Sequence, residues 1–484
     1  MQFLLQDELI DLSHNDQGIT ADTTVLDYLR LSRRLTGTKE GCASGDCGAC
    51  TAVVSEVGED GLRYSAINSC ITFLGELHGK QLITVEHLRS NNTLHPVQAA
   101  MVRHHGSQCG FCTPGFVMSL FAMKKASDQS ECGNQRQKIL KSLSGNLCRC
   151  TGYQPIIEAG KEVLEDTTAD QFDSSADDTR KRLAALPAAT RSGHPFFRPR
   201  SLQQLDQLID ENPDAPLVAG GTDLALEVTQ KLVSYPSMIS LSRVAELRTI
   251  EESDHFVAFG AAVQLETLQV YAESHWPDLA ALLDRFGSRQ VRFSGTLGGN
   301  LGTASPIGDL PPVLMALNTD LILHGSGRQR QVSINDFFTG YRKTRLETGE
   351  IIQAIRIPKL KSNQQLYIHK ISKRRDDDIS AICMAMWVEF SGTQPDTKIN
   401  AVRIACGGMA EVPKRARHIE EALTAETWSM RAVEKAKTAV RKDYQPISDA
   451  RASAEYRLNV AENLLIRCYL QSVPDSGIVD IDHA

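Results

Sequence analysis

The sequence contains no run of about 18 uncharged apolar residues, which is what a membrane-spanning helix requires. The N-terminal MQFLLQDELIDLSHND has a short apolar start interrupted by Asp7 and Glu8, so it lacks the basic and long apolar regions of a secretory signal. Neither charge sign dominates, because the net charge is only −7. We therefore expect a cytoplasmic protein with no membrane span and no nucleic-acid partner.

Cysteine is scarce in most of the chain and concentrated in one part of it. Nine of the twelve cysteines lie between Cys42 and Cys150. In a cytoplasmic chain, this distribution is more typical of metal binding than of disulfides. No internal repeat is present, and 484 residues are too many for one hydrophobic core, so we expect several domains.

The stretch GCASGDCGAC carries three of these thiols. Cys42, Cys47 and Cys50 are followed by Cys70, which gives the C-x4-C-x2-C…C spacing of a plant-type [2Fe–2S] site. Glycines between the cysteines permit positive φ and let backbone amides approach the sulfurs. Structural zinc also takes four thiolates, but zinc sites usually pair two C-x2-C knuckles. The spacing therefore favours iron–sulfur over zinc.

A second thiol set lies in SQCGFCTPG and GNLCRCTGY. Cys109 and Cys112 form a C-x2-C pair, and Cys148 and Cys150 form a C-x-C pair. Both pairs are predicted at helix ends. Cys112 directly precedes Thr113-Pro114, a predicted N-cap and first-turn proline, where the helix dipole favours a thiolate. Beside the first set, this pattern predicts a second cluster.

The remaining cysteines and one histidine pair have simpler interpretations. Cys132 lies outside both patterns and is predicted to be a spare thiol in a surface loop. His104 and His105 are predicted at a solvated helix end rather than as Rieske-type ligands. Small core residues are predicted at Cys383, Cys406 and Cys468.

Local patterns predict a small mixed domain followed by a helical bundle. FLLQDELIDLS predicts two strands with a turn at Asp7-Glu8, and Thr24 with Asp27 predicts a capping box before the helix VLDYLRLSRRL. CTAVVSEV and RYSAINSCI predict two more strands. Four helical patterns follow from residue 94 to about 165. Residues 166–193 are polar and predict an interdomain linker with room for a short helix.

Two glycine-rich segments occur where helices and strands alternate after the linker. APLVAGGTDL predicts a strand, a Gly-Gly-Thr turn and a helix start, a junction that exposes amides to a phosphate. It lacks G-x-G-x-x-G, and alone it is better explained as a simple turn. GTLGGNLGTASPIGDLPP adds a second segment with too many small residues for a packed core. Two such segments beside two clusters favour FAD, because flavin accepts electrons singly or in pairs. Two strands and then helices are predicted after residue 380.

The motifs CGFCTPG, GNLCRCTGY, LVAGGTD and GGNLGTASPIGD occur in an order that resembles the molybdenum hydroxylase family over nearly the whole chain. The resemblance implies an α+β multidomain fold. Its parts would be a ferredoxin-like β-grasp [2Fe–2S] domain at 1–85, a helical-bundle [2Fe–2S] domain at 86–165, a linker at 166–193, an α+β FAD-binding domain of vanillyl-alcohol-oxidase type at 194–362 and a C-terminal α+β flavoprotein domain at 363–484.

Carried over residue by residue, the resemblance assigns metal and flavin contacts. The ligands of the outer cluster would be Cys42, Cys47, Cys50 and Cys70. The ligands of the cluster nearer the molybdenum cofactor would be Cys109, Cys112, Cys148 and Cys150. The FAD contacts would be Leu217, Val218, Ala219, Gly220, Gly221, Thr222, Asp223, Leu224, Phe286, Thr296, Leu297, Gly298, Gly299, Asn300, Asp309, Ile352 and Lys370.

Three further positions carry implied roles. Tyr341 in GYRKT resembles the tyrosine beside the nicotinamide pocket. KRRDDDIS, which includes Asp377, matches the loop that governs access of NAD, although a solvated charge run is an equally good interpretation of its sequence. Gln108 matches a residue that contacts the pterin.

The resemblance implies the electron-transfer part of a two-subunit enzyme. The sequence ends at Ala484 without a molybdopterin-binding region, so we expect a separate large subunit that holds molybdopterin and oxidises a purine, in a heterotetramer of two small and two large chains. Electrons would pass through the two clusters to FAD and then to NAD+. Two alternatives stay open: the same part of a hydroxylase for an aldehyde or an N-heterocycle, and a zinc-stabilised interaction scaffold.

Overall fold

The computed structural model divides the chain into two compact units. The first comprises Met1–Val244 and Gly287–Gly295, and the second comprises Ala245–Phe286 and Thr296–Ala484. Within the described ranges, no helix has both the length and the hydropathy that crossing a membrane requires. The described residues are 1–12, 18–126, 134–187, 195–392, 397–473 and 476.

The first unit begins with a mixed five-stranded sheet. Gln81–Ile83 lies between Gln2–Leu5, to which it is parallel, and Thr51–Val57, to which it is antiparallel. An α-helical turn at Val25–Asp27, continued by a π-helical turn at Tyr28–Ser32, packs apolar side chains on this sheet. This arrangement is the expected β-grasp. The strands are Gln2–Leu5, Glu8–Asp11, Thr51–Val57, Leu62–Asn68 and Gln81–Ile83, and 3-10 turns follow at Leu74–Leu77 and Val85–Leu88.

The first hairpin of this sheet turns one residue earlier than predicted. Leu5 pairs with Glu8, so Gln6 and Asp7 form the two-residue turn, and Gln6 takes a left-handed φ of 58°. The N-cap half of the predicted capping box is confirmed, because the Thr24 hydroxyl accepts a hydrogen bond from the Asp27 N–H at 3.1 Å. The Asp27 carboxylate accepts from the Thr24 hydroxyl at 2.7 Å rather than from the Thr24 N–H, so the box itself is not formed.

The predicted helical bundle is confirmed. Phe116 and Phe121 are fully buried in its core. The predicted N-cap at Thr113 is wrong by one residue, since Cys112 holds the cap position and the helix begins at Thr113. The Thr113 hydroxyl donates instead to Ser107 Oγ at 2.7 Å. The helices are Pro96–Arg103, Thr113–Lys125, Gln135–Leu143 and Gln154–Glu165.

The segment predicted as a linker is packed against the bundle. Asp170 lies 2.8 Å from His95 Nε2 and 2.6 Å from Lys125 Nζ, and all three side chains are almost fully buried. Its carboxylate also caps a short helix. The last residues of the predicted linker, from 188 onwards, lie outside the described residues. The two helices here are Gln171–Ser174 and Ala176–Ala184.

A three-stranded parallel sheet completes the first unit. Met238–Ser240 lies between Phe196–Phe197 and Leu217–Val218. Residues of this sheet share a hydrophobic cluster with Cys50 and Cys70, so the sheet packs beside the first thiol set. The helices of this part are Leu202–Glu211, Leu224–Thr229 and Arg289–Ser294.

The second unit contains a five-stranded antiparallel sheet. Ile351–Pro358 lies at its centre, between Asp320–Gly325 and Phe256–Gly260. Leu310–Leu317 is a helix buried along its whole length. The strands are Ile250–Glu252, Phe256–Gly260, Asp320–Gly325, Arg328–Ser333 and Ile351–Pro358, with a small hairpin of Phe338–Gly340 and Lys343–Thr344. The helices are Ala245–Leu247 (3-10), Leu265–His275, Pro277–Asp284, Leu297–Gly302, Leu310–Leu317 and Ile334–Phe337.

A second antiparallel sheet and a helical layer form the rest of this unit. The predicted C-terminal strands and helices are confirmed. Cys383, Cys406 and Cys468 are buried in the apolar core, as predicted. The strands are Gln364–Ile371, Ile382–Phe390, Ile399–Gly407 and Lys414–Arg415. The helices are Arg417–Leu423, Met430–Lys437, Val440–Asp443 and Ala454–Ser472.

Candidate iron–sulfur and flavin sites

The four thiols predicted for the first site come together. Cys50 Sγ and Cys70 Sγ are 3.2 Å apart, and both residues are buried. The thiol of Cys42 contacts those of Cys47 and Cys70. Cys42 and Cys47 are partly exposed. One side of this set is therefore enclosed by protein, while the other side lies near solvent.

Backbone amides surround the Cys42 sulfur, as the glycine pattern predicts. Three N–H groups lie 3.3–3.4 Å from Cys42 Sγ. The contact with the Cys47 thiol, followed by that with Cys70 and by these amides, holds the pKa of Cys42 far below its usual range. A Cβ on Gly41 would lie 2.7 Å from Cys47 Sγ. The loop thus favours a thiolate at Cys42, which is the form that binds metal, whereas the contact with Cys42 raises the pKa of Cys47.

The second predicted set forms two contacting pairs of thiols. Cys109 contacts Cys150, and Cys112 contacts Cys148. The first pair is exposed and the second is partly buried. Burial, with a smaller effect of Cys148, raises the pKa of Cys112 to about 12. Burial therefore favours the protonated thiol of Cys112, contrary to the predicted preference for a thiolate, and a metal would have to displace this proton.

Two polar residues fix the C-x-C loop. Thr151 Oγ1 lies 3.2 Å from Cys148 Sγ, and the Tyr153 hydroxyl accepts a hydrogen bond from the Cys148 N–H at 2.9 Å. Tyr153 has a left-handed φ of 70° and directly precedes the helix Gln154–Glu165. Sequence reasoning missed both contacts, although the TGY directly after CRC was the available signal.

The arrangement of these thiols fits two-iron clusters. A [2Fe–2S] cluster binds four thiolates shared between two irons. The contacts of Cys50 with Cys70, Cys109 with Cys150 and Cys112 with Cys148 are pairs of this kind. Across the described ranges, no three His, Cys, Asp or Glu side chains are grouped as ligands of a single metal ion.

One backbone hydrogen bond joins the two thiol sets. The N–H of Leu147, directly before Cys148, donates to the Cys47 carbonyl at 3.0 Å. Gly48 has a left-handed φ of 65°, and a Cβ there would lie 2.1 Å from the Gly145 carbonyl oxygen. The two ligand loops are therefore in direct contact, which places the candidate clusters side by side.

Other side chains near the second set lie as follows. His104 Nε2 is 2.8 Å from the Glu162 carboxylate and His105 is exposed, which agrees with the predicted helix end. Gln108 is exposed beside Cys109, and its contact with a pterin stays a prediction. Cys132 lies outside the described residues.

The segment Leu217–Leu224 folds into the predicted strand, turn and helix start. Gly221 has a φ of 76°, and a Cβ there would lie 3.5 Å from the Ile71 carbonyl and the Phe73 ring. The turn therefore lies against the residues that follow Cys70. Nothing in this geometry tests the predicted FAD contacts of Val218, Ala219, Gly220, Thr222 and Asp223.

The second glycine segment differs from the prediction of a loop without a packed core. Leu297–Gly302 is a helix, and the Thr296 hydroxyl caps it by accepting a hydrogen bond from the Gly299 N–H at 3.0 Å. Leu297 is fully buried. A Cβ on Gly298 would lie 2.4 Å from the Ala261 Cβ. Helix packing therefore explains this glycine without a ligand.

Three of the predicted flavin contacts lie together in the second unit. Lys370 Nζ is 2.8 Å from Asp309 Oδ2 and 5.9 Å from the centre of the Phe286 ring. Ser380 Oγ donates to the other Asp309 oxygen at 2.5 Å. The Lys370 and Asp309 side chains are only 2% and 6% exposed. An aromatic ring thus lies beside a buried ion pair.

Asn300 provides the test of whether FAD fits this region. Its Oδ1 is buried and has no hydrogen-bond partner among the described residues. Such an acceptor costs about 1–3 kcal/mol, and a polar group of a ligand would remove that cost. The residues present therefore fit a polar cofactor. Ile352 is a buried residue of the central strand, and its FAD contact stays a prediction.

The two positions predicted near NAD differ in exposure. Tyr341 is 62% exposed, whereas Asp377 is 8% exposed and has a left-handed φ of 49°. Arg374 donates to the Asp377 carbonyl at 2.8 Å, and Arg285 donates to the carbonyls of Lys370 and Arg375 at 3.0 and 3.2 Å. The KRRDDDIS loop is therefore held by hydrogen bonds and is more than a solvated charge run. Its role toward NAD stays a prediction.

Four family models match the chain in succession. They are a 2Fe-2S iron-sulfur cluster binding domain at 12–75, a [2Fe-2S] binding domain at 84–161, the FAD binding domain in molybdopterin dehydrogenase at 189–360 and the CO dehydrogenase flavoprotein C-terminal domain at 367–472. The chain belongs to the molybdenum hydroxylase family. The predicted α+β fold, with two [2Fe–2S] domains followed by FAD-binding and C-terminal flavoprotein domains, is confirmed.

Relatives of this molybdenum hydroxylase chain differ in their substrates. Xanthine dehydrogenase of Drosophila pseudoobscura pseudoobscura is 32% identical over 96% of this chain, which spans 39% of that protein. Carbon monoxide dehydrogenase from Hydrogenophaga pseudoflava, in a form that lacks the Mo-pyranopterin moiety, is 26% identical with a TM-score of 0.53. The match covers 56% of this chain and 94% of the dehydrogenase chain. Quinoline 2-oxidoreductase from Pseudomonas putida 86 is 26% identical with a TM-score of 0.52, and the match covers 59% and 97% of the two chains.

Proposed function

We propose that this chain is the iron–sulfur/FAD subunit of a xanthine dehydrogenase. In this role, molybdopterin in a separate large subunit takes electrons from hypoxanthine or xanthine as these are converted to urate. The present chain then passes the electrons to NAD+. When bound, two [2Fe–2S] clusters supply single-electron transfer and FAD converts single electrons into pairs.

The order of the candidate sites in the first unit carries this proposal. The exposed thiols of Cys109 and Cys150 face solvent, where a partner could approach. The Leu147–Cys47 hydrogen bond joins the loop of the second thiol set to that of the first. The residues after Cys70 then contact the turn predicted to bind FAD. This order supports transfer from the second set to the first and on to the flavin.

Xanthine as the substrate rests on the relatives. Xanthine dehydrogenase of the fruit fly matches 96% of this chain, which spans 39% of that protein. The large subunit, the heterotetramer of two small and two large chains, NAD+ as acceptor and the cytoplasmic location belong to the same proposal.

In the proposed reaction, the residues of this chain bind the cofactors and orient them. The eight cysteines hold the irons, and the amides around Cys42 stabilise negative charge on sulfur. Lys370 and Asp309 form a neutral buried pair beside Phe286, where an isoalloxazine ring would pack. Tyr341 and Asp377 are proposed to line the approach of NAD+.

Cofactor content and turnover test the proposal. The purified chain should be brown and contain about four irons and one FAD, as two [2Fe–2S] sites require. With its large subunit it should reduce NAD+ with xanthine and not with carbon monoxide, quinoline or an aldehyde. A colourless, zinc-containing protein would contradict the electron-transfer function.

The variant Cys148→Ser tests the role of the second thiol set. We expect loss of about half of the iron and of substrate-driven NAD+ reduction, because one ligand of one of the two clusters is removed. Reduction of FAD by NADH should persist, since it does not need that cluster. The control is Cys468→Ser, which replaces a buried core thiol far from both sets in sequence. Unchanged iron content in Cys148→Ser would contradict the assignment.

A hydroxylase for another substrate is the second candidate function. The structural similarity to quinoline 2-oxidoreductase, at 26% identity over 59% of this chain, supports it. Quinoline-dependent turnover in the same assay would favour this candidate, while the cofactor content would stay the same.

A further inference from the structure

Gln290 occupies an unexpected position in the fold. It lies in the helix Arg289–Ser294, inside the part of the sequence that matches the FAD binding domain. Yet residues Gly287–Gly295 belong to the first compact unit, together with both thiol sets. The Gln290 side chain is buried, with 1% of the residue exposed.

The amide of Gln290 contacts both cluster-binding domains. Its Nε2 lies 3.3 Å from Thr51 Oγ1, which follows the first ligand loop, and 3.3 Å from Ser119 Oγ in the helical bundle. It also lies 3.5 Å from Asn146 Oδ1. One buried amide therefore bridges residues from three parts of the sequence.

Asn146 extends this network to the ligand loops themselves. Its Nδ2 donates to the Gly48 carbonyl at 3.1 Å, and its Oδ1 accepts a hydrogen bond from Ser119 Oγ at 2.6 Å. Gly48 lies between two cysteines of the first set, and Asn146 lies two residues before Cys148. The Asn146–Gly48 contact is thus adjacent to the Leu147–Cys47 hydrogen bond, because Asn146 directly precedes Leu147 and Gly48 directly follows Cys47.

Steric contacts leave this junction little freedom. A Cβ on Gly145 would lie 2.3 Å from Ser288 Cβ and 2.5 Å from Gln290 Oε1. A Cβ on Gly115 would lie 2.2 Å from the Gly48 carbonyl oxygen. Helix Arg289–Ser294 is therefore packed directly against the backbone just before the C-x-C ligands.

We propose that Gln290 is a positioning residue that sets the separation and relative orientation of the two clusters. It acts through Asn146 and Ser119 on the two ligand loops and touches no ligand sulfur. Electron transfer slows steeply as the gap between two centres widens, so a residue that fixes this gap controls the rate between them. This inference rests on the proposed function only in requiring that both thiol sets hold clusters.

The test compares Gln290→Leu with Gln81→Leu in the full chain carrying its cofactors. Gln81 is also a buried glutamine of the first unit, bonded to Ser55 Oγ at 2.8 Å and to the Gln6 carbonyl at 2.9 Å, but it contacts neither ligand loop. Both variants lose buried hydrogen bonds of similar kind. The readouts are the magnetic splitting between the two reduced clusters in electron paramagnetic resonance and the rate of electron transfer between them.

We expect Gln290→Leu to change the splitting and to slow transfer between the clusters by about tenfold, the lower end of the usual loss when support behind metal ligands is removed. Iron content should stay at the wild-type level, and Gln81→Leu should leave both readouts unchanged. Equal readouts in Gln290→Leu and Gln81→Leu would overturn the proposal.

A smaller change covers the case in which Gln290→Leu does not fold. Ser119→Ala removes one hydroxyl of the network, and it should shift the splitting in the same direction by a smaller amount. An unshifted splitting in Ser119→Ala would then overturn the proposal. Failure of the proposed function is distinguishable, because the wild-type protein would itself lack two cluster signals.

Discussion

Gly48 meets two requirements that only glycine satisfies together. Its φ of 65° is left-handed, and a Cβ would lie 2.1 Å from the Gly145 carbonyl oxygen and 2.5 Å from Asn146 Nδ2. A side chain would therefore be strained by its own backbone and would push the two ligand loops apart.

We expect Gly48→Ala to lower the free energy of unfolding by at least about 2 kcal/mol, since left-handed strain costs about 1–2 kcal/mol and overpacking adds more. The measurement is denaturant unfolding of the cofactor-loaded chain. The control is Gly152→Ala, at a φ of 69° with nothing within 4 Å of the added Cβ, which isolates the strain. Equal losses in both variants would mean that the loops can separate freely.

The buried pair of Lys370 and Asp309, a predicted flavin contact, is expected to affect both stability and flavin binding. In Lys370→Met we expect a loss of about 3–5 kcal/mol of stability, because Asp309 is left charged without its partner. FAD content should fall while iron content stays constant. Thermal unfolding and cofactor analysis measure these effects.

The double variant Lys370→Met/Asp309→Asn separates the two effects. It removes the uncompensated charge, so we expect most of the stability to return while FAD remains weakly bound. Full recovery of FAD binding would show that the pair serves folding alone.

At the scale of elements, the helix Pro277–Asp284 carries an unusual carboxyl in its first turn. A helix N-terminus normally favours a carboxylate. At Asp278, burial outweighs this effect and raises the pKa to about 6. The proton is thus bound more tightly in the folded chain than in the unfolded one, and stability falls as pH rises from about 4 to 6.

We therefore expect Asp278→Asn to stabilise the protein above pH 6, by about 3 kcal/mol at most, and to have no such effect near pH 4. Thermal unfolding at pH 4.5 and 7.5 measures the difference. Glu273→Gln, which changes an exposed carboxylate on the preceding helix, is the control. A gain of equal size at both pH values would contradict the burial explanation.

Elements with strong local signals, such as long apolar segments and first-turn prolines, could be predicted from the sequence. The bundle helix Thr113–Lys125 has apolar residues along most of its length and a proline in its first turn. Leu297–Gly302 was missed as a helix, since its glycines indicate a loop unless the contact of Gly298 with Ala261 is known. The number of glycines alone does not distinguish a segment that leaves room for a ligand from one that packs closely as a helix.

At the scale of the whole molecule, the cysteine ligands could be predicted because seven of the eight lie in short motifs with diagnostic spacing. Gln290 could not be found this way, because its partners Thr51, Ser119 and Asn146 lie 239, 171 and 144 residues away. Nothing in RQVRFS indicates that this helix packs with the cluster domains. The sequence predicts the order of the domains, whereas the assignment of residues 287–295 to the first unit depends on long-range contacts.

The discontinuity of the first unit also determines when, during synthesis of the chain, that unit can be completed. Domains generally fold as the chain leaves the ribosome, N-terminal parts first. Here the first unit is complete only after Gly287–Gly295 has been synthesised. The ribosome therefore makes all of Ala245–Phe286 before the helix that completes the cluster region emerges. Until then, the loops predicted to bind iron lack Gln290 and its neighbours. Insertion of iron during translation would therefore meet an unfinished site, and a ribosome pausing before residue 295 would prolong that exposure.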